Sequence, residues 1–247
     1  MRLLIVNPNI SQSVTDLIEA EARRSLSPGT ELTMRTAPFG VAYIETRAEA
    51  AVGAFAVLNE LAEHHAGHDA AVVAAFGDPG LAAAREILPI PVVGMTEAAL
   101  MSAAMLGGRF SIIAISRRIR AWYRETVDMH GLGGRLASIR CLDEALPNIG
   151  TVQTDKGEQL FALCEAAVRE DGADVLIIAG APLAGLARIL ADRIPVPVVD
   201  GVSSAVRHAE SLATLAPRGA TAGSYAPPPV KDWAGLSPAL GRLIGRK

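Results

Sequence analysis

The chain has 247 residues, half of them hydrophobic and only 4% aromatic, with 23 Lys and Arg against 26 Asp and Glu for a net charge of -3. That length suits one large or two small domains able to bury an aliphatic core, and the mild acidic balance supplies no basic field for nucleic acid or an anionic membrane surface. No apolar run approaches the length of a membrane span, and the opening MRLLIVNPN is too short in apolar residues for a secretory leader, so a cytoplasmic location is expected. Cys141 and Cys164 are isolated, which encodes neither a disulfide framework nor a thiolate metal site.

In chain order, Leu3 to Val6 form a continuous apolar run ended by Asn7-Pro8-Asn9, and Ser11 or Ser13 opens the helical stretch VTDLIEAEARRSL. Asn and Ser at such a turn cap helices and bond locally. Because the turn stands at a strand carboxyl end, Asn7, Asn9 and Ser11 are also candidate ligand contacts. Glu31 to Thr36 read as a second strand, and Pro38-Phe39-Gly40 turn the chain into a helix from about Thr46 to His65, with Phe39 and Tyr43 placed to cap a cleft or to seal the core edge. His64 and His68 are four apart, as two ligands on one helix face would be, but Gly67 ends the helix between them, and no metal site is assigned.

The stretch from Asp69 to Ala98 reads as a buried strand, a turn of small residues and Pro, a short helix and a Val-rich strand, and the pattern recurs from Asp174. Gly80-Leu81 matches Gly185-Leu186 at an offset of 105, and Pro89 to Val93 match Pro195 to Val199 at 106. RFSIIAIS from Arg109 echoes RLLIVNPN from Arg2, which sets Ser116 and Arg117 where the first half has Asn9 and Ile10. Arg117 has the planar guanidinium that suits a carboxylate. Helices are expected over IRAWYRETVDMHG, over Lys156 to Asp171 and over DGVSSAVRHAESLATL, with a short strand at Ile139 to Leu142; the Gly, Ser and Pro-rich tail from Gly219 reads as a surface strap.

Alternation of this kind marks parallel βαβ units. The fold class expected is therefore α/β, as two pseudo-twofold-related lobes, each a small parallel sheet flanked by helices, with a ligand cleft between them at the strand carboxyl ends. Residues 1–97 with 205–247 are expected to form the first lobe and residues 98–204 the second.

Several segments together resemble the Asp/Glu racemase superfamily and, within it, the hydantoin and allantoin racemases. They are Asn7-Pro8-Asn9 with Ser11, Tyr43-Ile44-Glu45-Thr46-Arg47, Phe76-Gly77-Asp78-Pro79-Gly80-Leu81, Pro91-Val92-Val93-Gly94 with Glu97-Ala98-Ala99, Ala184-Gly185-Leu186, Pro197 to Val202, and Ala222-Gly223-Ser224-Tyr225. The resemblance implies cofactor-independent proton transfer on a small cyclic amide, with one thiol on each face of the substrate, and a homo-oligomer. The first thiol would fall at Ala75 and the second at Gly180. Neither residue can move a proton.

Three readings follow: a chain whose thiols have been replaced; a diverged hydrolase, lyase or decarboxylase, or a non-catalytic metabolite-binding protein, with Asp78 or Glu97 as the nearest carboxylates; and a metal-dependent reaction, the least favoured. On this basis the catalytic positions are Ala75, Gly180, Asp78 and Glu97. The expected ligand contacts are Asn7, Asn9, Ser11, Phe39, Gly77, Thr96, Ser116, Arg117 and Ala181, with no cofactor.

Overall fold

Side chains alternate across a strand, so Leu3 and Ile5 face one way along β1 (Arg2–Asn7) and Leu4 and Val6 the other; all four are fully buried. A strand apolar on both faces must be covered on both, which is the situation of a parallel sheet between helical layers. The structure, a computed structural model, describes residues 1–143 and 148–245. In the first half, β1 is followed by α1 (Gln12–Ser25), β2 (Glu31–Thr36), α2 (Arg47–His64), β3 (Ala70–Val73), α3 (Leu81–Ile87) and β4 (Val92–Gly94). After α4 (Met95–Leu106), the second half repeats the plan with β5 (Phe110–Ala114), α5 (Arg120–Met129), β6 (Leu136–Cys141), α6 (Val152–Asp171), β7 (Val175–Ile178), α7 (Leu186–Leu190) and β8 (Val198–Asp200). Helices α8 (Gly201–Leu215) and α9 (Pro238–Ile244) complete it.

Each lobe holds a four-stranded parallel sheet, ordered β2-β1-β3-β4 in one and β6-β5-β7-β8 in the other. The same order in both halves is the structural form of the sequence repeat. One apolar core is shared between the lobes: Leu3, Ile5 and Val72 of the first sheet and Ile112, Ala114 and Ile177 of the second belong to a single cluster with Ala99 of α4 and Val206 of α8. The outward strand faces build two separate cores, one under α2, α3 and α9 and one under α6 and α7. Burial of each large aliphatic side chain contributes roughly 1.5–3 kcal/mol, and the shared cluster ties that gain to the docking of the lobes.

Three boundaries differ from expectation. Strand β6 begins at Leu136 rather than Ile139, and α6 begins at Val152, four residues before Lys156. The tail is not wholly a strap: Ser237 caps α9, Pro238 occupies its first turn, and Ala239, Leu240 and Leu243 are buried in the core that α2 shares. Helix α2 ends at His64, so His64 and His68 do not share a helical face.

Two buried carboxylates hold the strand-end loops in place, one in each lobe. Asp78 lies in the loop after β3 and accepts from the backbone N–H groups of Thr96 (2.8 Å) and Glu97 (2.8 Å), closing the amino end of α4. Asp200 caps α8, accepting from Val202 (2.8 Å) and Ser203 (3.0 Å), and reaches back to the Gly185 N–H (2.7 Å) in the loop after β7. The same tie is thus made from opposite ends: Asp200 stands at the helix cap, whereas the equivalent cap is Gly94, where a Cβ would collide with the Asp78 carboxylate. Asp78 adopts φ 47°, a left-handed conformation that Asp tolerates because its short polar side chain bonds locally.

Burial pushes the Asp78 carboxyl up to about 7, against the pull of its two N–H donors, from an ordinary value of 3.8. A carboxyl raised in the folded state stabilises the fold fully below the unfolded value, and that contribution is lost as pH rises towards the folded one. Asp78→Asn offers one accepting oxygen in place of two, a loss present at every pH, and cannot ionise, so its stability relative to the parent should rise between about pH 4 and pH 7 and then level off; parallel urea midpoints across that window would refute the assignment. Asp200→Ala strands three backbone donors and should cost about 2 kcal/mol or more, with faster hydrogen exchange at the Gly185 amide as the local readout.

Candidate functional site

The loops after β3 and β7 meet between the lobes. Ala75 and Phe76 from the first and Gly180, Ala181 and Pro182 from the second line one cavity of about 20 Å³, together with Asn9 after β1, Tyr43 and Ile44 before α2, and Tyr123 on α5. The two positions where thiols were expected therefore face a common space from opposite lobes. The cavity is about the size of one water, so a ring is admitted only when a lining segment moves. Arg47 and Glu125 pair across the lobes, from the amino end of α2 to α5, close in sequence to Tyr43 and Tyr123 respectively.

Each lining group has a local cause. Asn7 is fully buried and donates from its amide to Asn9 Oδ1 (3.1 Å) and Thr15 Oγ1 (2.9 Å), while Asn9 Oδ1 accepts from the Ser11 N–H (2.9 Å). This network folds the β1–α1 turn so that Asn9 reaches the cavity. Gly180 has φ 107°, a region that side chains rarely occupy, although a Cβ there would have room, its nearest neighbour being Pro182 Cδ at 3.7 Å. Tyr123 is held by Phe76, with ring centroids 4.6 Å apart. Gly77 lies directly under the Trp122 indole, which leaves no space for a side chain. Its N–H donates to Thr96 Oγ1 at 2.5 Å. On the far side of the second loop, Glu21 of α1 accepts from Arg188 (2.6 Å) and Ser203 (2.5 Å), fixing that loop against the first half.

The expected site residues divide accordingly. Asn9, Ala75, Gly180 and Ala181 line the cavity. Asn7 and Ser11 lie behind it, Ser11 as the cap of α1. Gly77, Asp78 and Thr96 form the bonded layer that fixes the first loop. Glu97 is engaged by both terminal nitrogens of Arg85, one at 3.1 Å, with His130 Nδ1 at 3.9 Å. Ser116 caps the turn before α5, and Arg117 is exposed and paired with Asp143, in a separate groove that Cys141 also lines. Phe39 is exposed and packs on Phe55, ring centroids 5.8 Å apart. Tyr123 and Pro182 were not singled out as ligand contacts in the sequence; Tyr123 carried only the signal of an aromatic on an amphipathic helix.

Neither cysteine lines the cavity. Cys164 is buried in the second lobe's outer core, where burial pushes its thiol up to about 12; burial likewise raises Cys141 to about 11. Both are therefore protonated at neutral pH. Among the described residues no group of three or more His, Cys, Asp or Glu is arranged to hold a metal ion, and no helix is long and apolar enough to cross a membrane.

Residues 3–209 match the family model described as Asp/Glu/Hydantoin racemase. A hydantoin racemase of Paenarthrobacter aurescens is 37% identical over 240 residues, covering 94% of this chain and all of the relative. The solved allantoin racemase of Klebsiella pneumoniae superposes with a TM-score of 0.92 at 34% identity, covering 97% of this chain and 98% of that one. That of Pseudomonas fluorescens gives 0.89, also at 34% identity, over 95% of this chain and 100% of the other. Two like lobes, strand-end loops meeting across a cavity and full-length similarity converge on one assignment: this chain belongs to the Asp/Glu/hydantoin racemase family.

Proposed function

We propose that the cavity is a hydantoin-racemase-type site for a small cyclic amide, built for cofactor-independent proton transfer, in which the two-thiol step has been lost by replacement of its acid–base groups. The observation that carries this reading is the meeting of Ala75 and Gly180 in one space from opposite lobes. In a two-base inversion, one thiolate removes the proton from an acidic ring carbon while a thiol on the other face returns one. Here a methyl group and a hydrogen occupy those places. The frame that would hold the ring, from the Asn7–Asn9 network to the carboxylate-tied loops, is intact.

The alternative in which Asp78 or Glu97 activates water or protonates a carbanion is less favoured by the geometry. Both Asp78 oxygens accept backbone N–H groups of α4, Glu97 is held by Arg85, and neither residue lines the cavity. Using either would mean breaking the bonds that hold the first loop.

Proton exchange at the ring carbon of 5-methylhydantoin in heavy water, followed by NMR, tests the reading. The chain as it stands should exchange at the buffer rate. The double variant Ala75→Cys with Gly180→Cys should exceed it by at least about 100-fold, although Gly180→Cys costs roughly 1–3 kcal/mol in backbone strain. Exchange by the unaltered chain well above buffer would mean that another base acts here and would overturn the reading.

A further inference from the structure

A groove runs beside the open edge of the second sheet, outside the cavity between the lobes. Strand β6 is the last strand of its sheet, so alternate backbone groups on its free side have no neighbouring strand to pair with. Two overlapping hollows of about 330 and 580 Å³ follow that edge through all six residues from Leu136 to Cys141 and share Arg117, Arg120, Ser138 and Ile139. Neither includes a residue that lines the cavity. Space of this size is in the range of sites that hold small molecules.

The charge of the lining leans one way. Arg117, Arg120 and Arg124 are spaced by three and four residues, which brings them to one face of the turn before α5 and of α5 itself, over about 10 Å. Arg140 of β6 joins the lining, whereas its carboxylates are Asp143 and Asp171. Four guanidinium groups against two carboxylates make a local excess of positive charge in a chain whose net charge is -3, so overall composition does not account for it.

The four arginines differ in how far they are engaged. Arg140 is held by Asp171 (2.6 and 2.9 Å) and Glu170 (2.8 Å) and shapes the wall. Arg117 with Asp143 and Arg124 with Asp128 (3.0 Å) form exposed pairs, which contribute little and which a multivalent anion can displace. Arg120 is exposed, and its guanidinium makes no hydrogen bond or ion pair among the described residues. Burial raises the Cys141 thiol at one end of the groove, and the positive charges of Arg120 and Arg117 pull the other way. Both guanidinium groups therefore stand close to that end. Arginine suits planar, bidentate recognition of phosphate and carboxylate oxygens, and a row of arginines favours a ligand with more than one such group.

We propose that the groove between α5 and β6 is a second ligand site, which takes a small polyanion carrying two or more phosphate or carboxylate groups, with Arg120 as the principal contact and Arg117 and Arg124 beside it. The site shares no lining residue with the cavity, so it does not depend on the ring-binding reading above.

Calorimetric titration of the full chain at pH 7 and one fixed, low ionic strength, with pyrophosphate and with citrate, tests it. Each probe is also titrated into Arg120→Gln and into Arg23→Gln, which removes the same charge from an exposed pair on α1. At least one probe should bind the parent with a Kd below about 1 mM. Arg120→Gln should weaken that binding at least about tenfold, as loss of a charged hydrogen-bond partner does, and Arg23→Gln should leave it unchanged. Binding of pyrophosphate alone assigns the groove to phosphate groups, and binding of citrate alone to carboxylates. Failure of both probes to bind, or an unchanged affinity in Arg120→Gln, overturns the site. An equal loss in Arg23→Gln overturns it as well, because attraction to net charge would then explain the binding.

Discussion

A buried carboxylate bonded to the backbone N–H groups of a helix start is the contact on which the rest of this site depends. It occurs once per lobe, as Asp78 to the amino end of α4 and as Asp200 to the amino end of α8 and the Gly185 amide. Helix starts offer unpaired donors and a partial positive charge, and a loop that brings a carboxylate there is fixed with little room to drift. Because the two ties are made from opposite ends, the loops they hold come to comparable places although the residues at Gly94 and Asp200 differ. Ala75 and Gly180 inherit their facing positions from that arrangement.

The lobes are not independent platforms. A single apolar cluster runs from β1 and β3 through α4 and α8 to β5 and β7, and Glu21 binds α1 to Arg188 and Ser203 behind the second loop. On the side of the cavity formed by Tyr43 and α5, the exposed Arg47–Glu125 pair joins the lobes beside the packing of Tyr43 on the second lobe's outer core and of Trp122 over Gly77. Exposed ion pairs contribute little, typically 0–1 kcal/mol, so the packing carries most of that contact.

The lining of that cavity carries no charged side chain. The family to which the chain belongs is shown by a match over most of its length, yet the cavity is walled by a methyl group, a glycine, two phenols and an amide. The carboxylates nearest in sequence, Asp78 and Glu97, are consumed in structure. Family membership and the reaction performed are therefore separate questions here, and only the first is answered by the match.

The sequence by itself determined the two-lobe parallel architecture, because strand alternation, the doubled small-residue turn and the Pro-Val-Val strand ends are local patterns that repeat. Ala75 and Gly180 were singled out by the resemblance of the surrounding segments to the racemase superfamily. The sequence did not disclose α9, whose Ser-Pro start is surrounded by Gly and Pro, nor that Ser116, Arg117 and Phe39 lie away from the cavity while Tyr123 enters it. Those outcomes depend on how helices from one half dock on loops of the other, and no local pattern encodes the direction a side chain takes after docking. Tertiary structure alone decided that Asp78 is a fastening rather than a free acid, because its partners Thr96 and Glu97 lie beyond another helix and strand. It likewise decided that the Tyr43 hydroxyl has no partner among the described residues, for burial and bonding are settled only when every neighbour is in place.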